Sequence, residues 1–236
     1  MSPLKIWAVA RREFSSYFVS PTIYALMVVY LFLIGYFMSD RIFSGQADLN
    51  ISLFSFLLFF IVPLLTMRLV SPEYERGTIE LIFTSPVTAV DYVLGKFLAA
   101  LSVYGVILIF TLHFPLFLMY VGNPDVFVFG AQYLGLALVG SFFLSVGLFC
   151  STLTENQIVA AVSSFFLLLF LWALGILKGL LPTSAGPAIE AISIVNPIGN
   201  FQDGLLKLQD VVYFLSLTIG FLFASIQYLN TRSWEN

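Results

Sequence analysis

The chain alternates long apolar runs with short polar breaks, and the runs are long enough to cross a membrane. A transmembrane helix needs about 20 consecutive apolar residues. Runs that approach or exceed this length without Asp, Glu, Lys or Arg occupy residues 22–39, 49–67, 97–121, 126–154, 156–177 and 211–231. The pattern therefore predicts an all-α membrane protein with six transmembrane helices. Pro115 marks a kink candidate in the third of them.

The composition agrees with a chain whose solvent is lipid. Sixty per cent of the residues are hydrophobic and 10% are charged, whereas a soluble domain carries about 25% charged residues. The net charge is −3, and the sequence has no basic stripe with interleaved aromatic residues, so no nucleic-acid partner is expected. The single cysteine, Cys150, excludes a disulfide framework, and no metal site is expected.

Lysine and arginine near the ends of the spans indicate the orientation, because these residues are enriched in cytoplasmic loops. With a cytoplasmic N-terminus, the inner side carries Lys5, Arg11, Arg12, Arg68, Arg76, Lys96 and Arg232, and the outer side carries Arg41, Lys178 and Lys207. The asymmetry predicts that both termini are cytoplasmic and that residues 178–210 lie outside.

Residues 3–18 precede the first span and are amphipathic. Apolar side chains recur at helical spacing on one face, at Trp7, Ala10, Phe14, Tyr17 and Phe18, while Lys5, Arg12 and Ser16 share the other face. A basic helix with aromatic residues is typical of the membrane interface. Such a helix serves either as a plain topological anchor or as an elbow that also contacts a cytosolic partner.

A charged island separates the second and third runs. Residues 68–96 hold seven of the 23 charged residues: Arg68, Glu73, Glu75, Arg76, Glu80, Asp91 and Lys96. Ser71 is the expected N-cap of a short helix that Gly77 interrupts, and residues 78–83 form a second short amphipathic piece. Thr88 and Asp91 have the spacing of a capping box at the start of the third span. Apolar Ile79, Leu81, Ile82 and Phe83, framed by charges, predict an exposed docking surface.

Motifs for catalysis are missing from the sequence. It contains no G-x-x-x-x-G-K-[ST] phosphate loop, no H-E-x-x-H and no G-x-S-x-G. Apart from tyrosines, His113 is the one ionisable ring within the runs. Because no carboxylate lies near it in its run, we expect it to pack between helices or to form an interhelical hydrogen bond. The scarcity of buried charges also weakens the alternative of a secondary transporter or channel. The chain is therefore expected to perform no chemistry itself and to receive energy through the charged island.

Three segments together carry a resemblance to a known family. They are Glu-Tyr-Glu-Arg-Gly-Thr-Ile-Glu-Leu-Ile-Phe-Thr-Ser-Pro at 73–86 with Val-Leu-Gly-Lys-Phe at 93–97, Ser-Thr-Leu-Thr-Glu-Asn-Gln at 151–157, and Asn-Pro-Ile-Gly-Asn-Phe at 196–201 with Asp-Gly at 203–204 and Asp-Val-Val-Tyr-Phe at 210–214. The chain resembles the type-2 ABC exporter permeases, and more narrowly the branch that includes the gliding-motility permease.

The resemblance implies a single permease domain over residues 1–236, a half-transporter that pairs with a second permease subunit and binds two cytosolic ABC ATPase subunits. ATP and Mg²⁺ would be bound by those subunits, with no cofactor or metal in this chain. Residues 71–92 correspond to the coupling segment, with Glu73, Glu75, Arg76, Gly77, Thr78, Glu80, Leu81 and Phe83 as expected ATPase contacts. The elbow helix contributes Arg11, Arg12 and Glu13. The outer re-entrant segment, 178–210, contributes Asn196, Pro197, Phe201 and Asp203.

The resemblance also leaves an alternative open. The likeness to the gliding-motility branch implies, as this alternative, a permease-like mechanical transmitter that works with a companion membrane protein with a large extracytoplasmic domain and moves no solute. Either function implies a bacterial inner membrane location. The apolar path expected between the helices does not identify a substrate, because it suits lipids, drugs, glycans and peptides alike.

Overall fold

The computed structural model describes residues 2–43, 49–79, 87–121, 125–177 and 193–232, and all regular structure within these ranges is helical. The helices are α1 (Pro3–Val19), α2 (Pro21–Phe43), α3 (Ile51–Thr66), α4 (Ser71–Glu75), α5 (Ala89–Thr111), α6 (His113–Val121), α7 (Val126–Leu153), α8 (Gln157–Leu177), α9 (Val195–Gln202) and α10 (Leu208–Arg232). The all-α prediction is confirmed.

Within the described ranges, six helical stretches are long and apolar enough to cross a membrane: Pro21–Arg41, Ile51–Glu75, Ala89–Tyr120, Val126–Leu153, Gln157–Gly175 and Leu208–Arg232. Each coincides with one of the six predicted runs. The chain is a multi-pass membrane protein.

The third span bends where the sequence places a proline. Helix α5 ends at Thr111 and α6 begins at His113, because the ring of Pro115 crowds the carbonyl four residues earlier and its nitrogen has no hydrogen to donate. That carbonyl belongs to Thr111, and it accepts the Tyr133 hydroxyl at 2.9 Å. His113 is exposed and its ring Nδ1 lies 2.5 Å from the Phe110 carbonyl of its own span.

Helix α7 forms the centre of the bundle. Its hydrophobic stretch is 72% buried and that of α3 is 67% buried, whereas the values for α8 and α10 are 17% and 22%. Glycines let neighbouring helices approach α7 closely, since the Tyr104 ring lies against Gly140 and the Thr66 side chain lies against Gly147. The outer helices therefore present apolar faces to their surroundings.

Helix α1 packs along the start of α5. Val9 lies against Gly95, and the Tyr17 hydroxyl donates to the Leu65 carbonyl at 2.9 Å. Of the predicted apolar face, Ala10 is buried, whereas Trp7 is 66% exposed. The contact stripe passes through Val9 and Ala10 and turns Trp7 away from the bundle, where an aromatic ring suits a membrane interface.

Candidate functional site

The functional site predicted from the charged island is built around α4, and another span supplies its N-terminal cap. Val70 is the N-cap residue, so the prediction that Ser71 caps this helix was wrong. The Ser151 hydroxyl, at the end of α7, instead accepts the backbone N–H groups of Val70 and Ser71 at 3.0 and 3.1 Å. Ser71 cannot fill this role because it is buried inside the first turn, where its own hydroxyl donates to the Ser151 carbonyl.

The other end of α4 stops at Gly77, as predicted. The N–H of Gly77 donates to the Tyr74 carbonyl and the N–H of Thr78 donates to the Glu73 carbonyl, both at 3.0 Å. This pair of bonds is a Schellman motif, which needs a left-handed residue just beyond the helix. Gly77 has φ +66°, a conformation that glycine adopts without steric cost.

A buried lysine joins α4 to α1 and α5. The Lys96 side chain is 2% exposed, and its ammonium lies 3.0 Å from Oε1 of Glu73 and 3.4 Å from Oε1 of Glu13. The ammonium also donates to the Leu69 carbonyl, which follows the end of α3. An isolated ammonium would be costly to bury, so two carboxylates and a carbonyl compensate it. We call Glu13, Glu73 and Lys96 the lysine cluster.

Two further side chains surround the lysine cluster. The Tyr92 hydroxyl donates to Oε2 of Glu73, and the Tyr92 ring centroid lies 5.0 Å from the Lys96 ammonium. Arg12 lies 3.6 Å from Oε1 of Glu73, but its side chain is 75% exposed. Water screens such an exposed pair, so Arg12 adds little to the stability of the contact between α1, α4 and α5. Lys96 provides the main ionic contact between these helices.

Contacts on the other side connect α4 with α8 and α10. Gln157 donates to Oε2 of Glu75 at 3.3 Å. Arg232, near the end of α10, forms an ion pair with Glu155 at 2.9 Å, and its guanidinium lies 4.5 Å from the Tyr74 ring centroid. Helix α4 is thus attached to α1, α5, α7, α8 and α10.

The structure divides the predicted coupling residues into two groups. Glu75, Arg76 and Gly77 are exposed and Thr78 is half-buried, whereas Glu73 points into the lysine cluster with 14% of its side chain exposed. Ile79 is buried in the core, so the prediction that it belongs to an exposed apolar patch was wrong. The chain turns inward after Gly77 and carries Ile79 beneath the surface. Glu80, Leu81 and Phe83 lie outside the described residues.

On the elbow helix, Arg11 and Arg12 are exposed and Glu13 is half-buried.

The predicted outer residues lie at the opposite end of the bundle. Residues 178–192 lie outside the described part, and Asn196, Pro197 and Phe201 fall within α9, with Asp203 just beyond it. Pro197 and Phe201 are buried, whereas Asn196 and Asp203 are exposed. Phe201 fills the space beside Gly135, and Gln202 donates to the Leu49 carbonyl at 2.6 Å.

Sequence reasoning counted Lys96 as an orienting charge and missed its central position. The signal was present, because Lys96 directly precedes the uncharged run 97–121 and an ionisable residue at such depth marks a functional site. The capping role of Ser151 left no comparable signal, since serine is common in apolar helices. Both residues bring distant segments together, which a local pattern does not reveal.

The site holds opposite charges close together, around an ammonium that is almost fully buried. Residues 33–226 match the family model described as ABC-2 family transporter protein. A comparison with curated proteins finds no match. Because the match covers most of the sequence and all or part of every span, the chain belongs to the ABC-2 transporter family and is a membrane permease subunit of an ABC transporter.

Proposed function

We propose that this permease couples ATP hydrolysis by a cytosolic ABC ATPase to export, and that α4 with the lysine cluster transmits the motion. Membership of the ABC-2 family implies ATPase partners. The partner would bind ATP and Mg²⁺, and this chain would contribute no catalytic residue. A second permease subunit, identical or related, would complete the path across the membrane.

The observation that carries the proposal is the number of elements that meet at Glu73. Its carboxylate contacts Lys96 and Tyr92 of α5 and Arg12 of α1, while its own backbone belongs to α4. Displacing α4 alone would separate Glu73 from a buried ammonium, which is expensive. A push on α4 therefore moves the elbow helix and the third span with it.

The surface that would receive the push is the exposed turn at Glu75, Arg76 and Gly77, continued by Glu80, Leu81 and Phe83. The excess of Lys and Arg on one side of the spans supports a cytosolic location for this turn at a bacterial inner membrane, with both termini on the same side. Arg11 and Arg12 of the elbow helix would lie at the rim of the contact. Apolar side chains in the segment would enter an ATPase cleft, where an introduced charge would be buried unpaired.

The proposal is tested by co-expressing the chain with its ATPase partner and measuring the complex. We expect Leu81→Asp and Phe83→Asp to release the ATPase in a pull-down, while Arg41→Gln, at the opposite end of the first span, leaves the complex intact. Retention of the ATPase with wild-type hydrolysis in both aspartate variants would contradict the docking role.

Transmission is tested separately from docking. A variant that carries Lys96→Met, Glu13→Gln and Glu73→Gln removes the charges together and should keep the ATPase bound. Spin labels at Thr78 and at exposed Asp203 would report the distance between the two ends before and after trapping with ATP and vanadate. We expect a distance change in the otherwise unaltered protein and a smaller one in the triple variant. Equal changes would show that the lysine cluster transmits nothing.

The orientation is tested by thiol labelling in a Cys150→Ala background. Single cysteines at Ser184 and Ser233 should react with an impermeant reagent from opposite sides of the membrane. Labelling of both from the same side would overturn the assignment of residues 178–210 to the outer side.

The narrower resemblance to the gliding-motility branch rests on the motifs at 73–86, 151–157 and 196–204. If the chain works as a mechanical transmitter of that kind, it would bind a companion protein with a large extracytoplasmic domain. Transport assays on the reconstituted complex would separate this function from export, because the ATPase partner of a transmitter would hydrolyse ATP without any solute being moved.

A further inference from the structure

A groove between α1, α2 and α3 combines a positive charge at its mouth with an apolar floor. It encloses about 90 Å³ and is lined by Arg68, Ser20 and Thr22 at one level and by Ile23, Leu26 and Leu64 at the next. The volume accommodates a small polar group, and the apolar side chains continue outward from it. Leu64 is 40% exposed and Leu26 is half-buried. The polar and apolar parts of the groove therefore match the polar headgroup and the hydrocarbon chains of a lipid.

Arg68 at the mouth has hydroxyl groups for partners. Its Nη1 donates to Oγ of Ser20 at 3.1 Å and to Oγ1 of Thr22 at 2.9 Å. Among the described residues no carboxylate forms an ion pair with Arg68, so its charge is not neutralised by this part of the protein. Guanidinium groups bind phosphate oxygens through paired N–H donors, and the neighbouring hydroxyls can add further hydrogen bonds.

Among the described residues that line the groove, the one acidic side chain is already paired. Glu13 contributes to the wall, but its Oε1 lies 3.4 Å from the Lys96 ammonium. Burial raises the pKa of the Tyr17 hydroxyl, and the nearby Glu13 carboxylate raises it further. The hydroxyl therefore stays protonated and donates to the Leu65 carbonyl. The remaining charge that faces the mouth is therefore that of Arg68.

We propose that this groove binds a glycerophospholipid, with the headgroup phosphate against Arg68, Ser20 and Thr22 and an acyl chain along Leu26 and Leu64. The charge complementarity selects phosphate, and the apolar continuation selects a lipid over a soluble anion. The bound lipid would fill the angle between the elbow helix and the first two spans. The inference depends on the chain being a membrane protein and is independent of the coupling proposal.

The test uses delipidated protein in detergent and native mass spectrometry. Dioctanoyl phosphatidylglycerol and dioctanoyl phosphatidylcholine should each give a one-lipid adduct, whereas dioctanoylglycerol, which lacks the phosphate, should bind much more weakly. Arg68→Gln should reduce the affinity for both phospholipids about tenfold, as expected for loss of a charge-assisted hydrogen bond. Arg11→Gln is the matched control, because Arg11 is an exposed cation of α1 that does not line the groove.

Leu64→Trp provides a second variant that fills the groove and leaves every charge in place. It should also weaken the adducts, and the elution profile would verify that both variants remain folded. Equal binding of dioctanoylglycerol, or unchanged binding by Arg68→Gln, would overturn the proposal. Saturation by inorganic phosphate with no preference for the lipids would also overturn it, because the groove would then be a general anion site.

Discussion

Helices α4 and α9 are short helices at opposite ends of the bundle, and they end in the same way. In each, a glycine with positive φ follows the helix, Gly77 at +66° and Gly204 at +73°. The N–H of Leu205 donates to the Asn200 carbonyl at 2.8 Å, which repeats the Schellman bond between Thr78 and Glu73. Both helices therefore end in a Schellman motif with a left-handed glycine.

The attachments of the two helices differ. Helix α4 is held by ionic groups on long side chains and by hydroxyl bonds, as the lysine cluster and Ser151 show. Helix α9 is held by packing and amides: Phe201 is fully buried against Gly135, and Gln202 contacts Leu49 while its carbonyl accepts Gln132 at 2.9 Å. Ion pairs on flexible side chains stay formed when α4 shifts together with α1 and α5, whereas an aromatic ring in a fitted space does not tolerate a shift. We therefore expect α4 to move as a lever and α9 to stay fixed.

The largest expected effect comes from removing the lysine alone. Lys96→Met leaves the Glu13 and Glu73 carboxylates together without their cation, and it should lower the free energy of unfolding by roughly 3–5 kcal/mol. Thermal unfolding in detergent, followed by loss of the monodisperse elution peak, measures the effect. The triple variant with Glu13→Gln and Glu73→Gln should recover most of the stability. If Lys96→Met unfolds at the same temperature as the unaltered protein, the cluster contributes nothing to holding α4.

The next effect is expected at Ser151, the cap that α4 receives from α7. Ser151→Ala leaves the N–H groups of Val70 and Ser71 unpaired in a buried place, at a cost of about 1–3 kcal/mol. Ser145→Ala is the matched control, because Ser145 is a buried serine of the same helix whose hydroxyl bonds its own helix at Phe142. Equal stability of the two variants would show that the α7 contact is dispensable.

Sequence reasoning recovered the six spans because apolar runs of this length have few other structural outcomes in proteins. It recovered the stop at Gly77 and the capping box of Thr88 with Asp91 because both depend on neighbours within five residues. The lysine cluster, by contrast, joins Glu13, Glu73 and Lys96, and no local pattern pairs them. The prediction that Ile79 is exposed was wrong for the same reason, because its burial depends on contacts with residues distant in the sequence.

At the other end of the bundle, a single added methyl group should test how closely α9 fits. A Cβ at Gly135 would lie 2.5 Å from Cγ of Phe201, so Gly135→Ala must displace the ring and α9. The expected net loss is about 1–3 kcal/mol, the usual range for overpacking. Gly130→Ala on the same helix meets nothing within 4 Å, and it should stabilise by about 0.5–1 kcal/mol through higher helix propensity. Similar unfolding temperatures for the two variants would contradict a fitted contact.

The smallest effect separates the two Schellman glycines from each other. Alanine at either position must adopt a left-handed conformation, which costs roughly 1–2 kcal/mol. At Gly77 an added Cβ meets nothing within 4 Å among the described residues, whereas at Gly204 the Cβ would also lie 2.9 Å from Cγ2 of Val128. Gly204→Ala should therefore unfold at a lower temperature than Gly77→Ala.

Asparagine, which enters the left-handed region more readily than alanine, should restore part of the stability at Gly77 and less of it at Gly204. The open surroundings of Gly77 fit a turn exposed for a partner, and the crowded surroundings of Gly204 fit a helix fastened to the bundle. If Gly77→Ala proves the more damaging of the two, the end of α4 is packed as tightly as the end of α9, and the difference between lever and anchor does not hold.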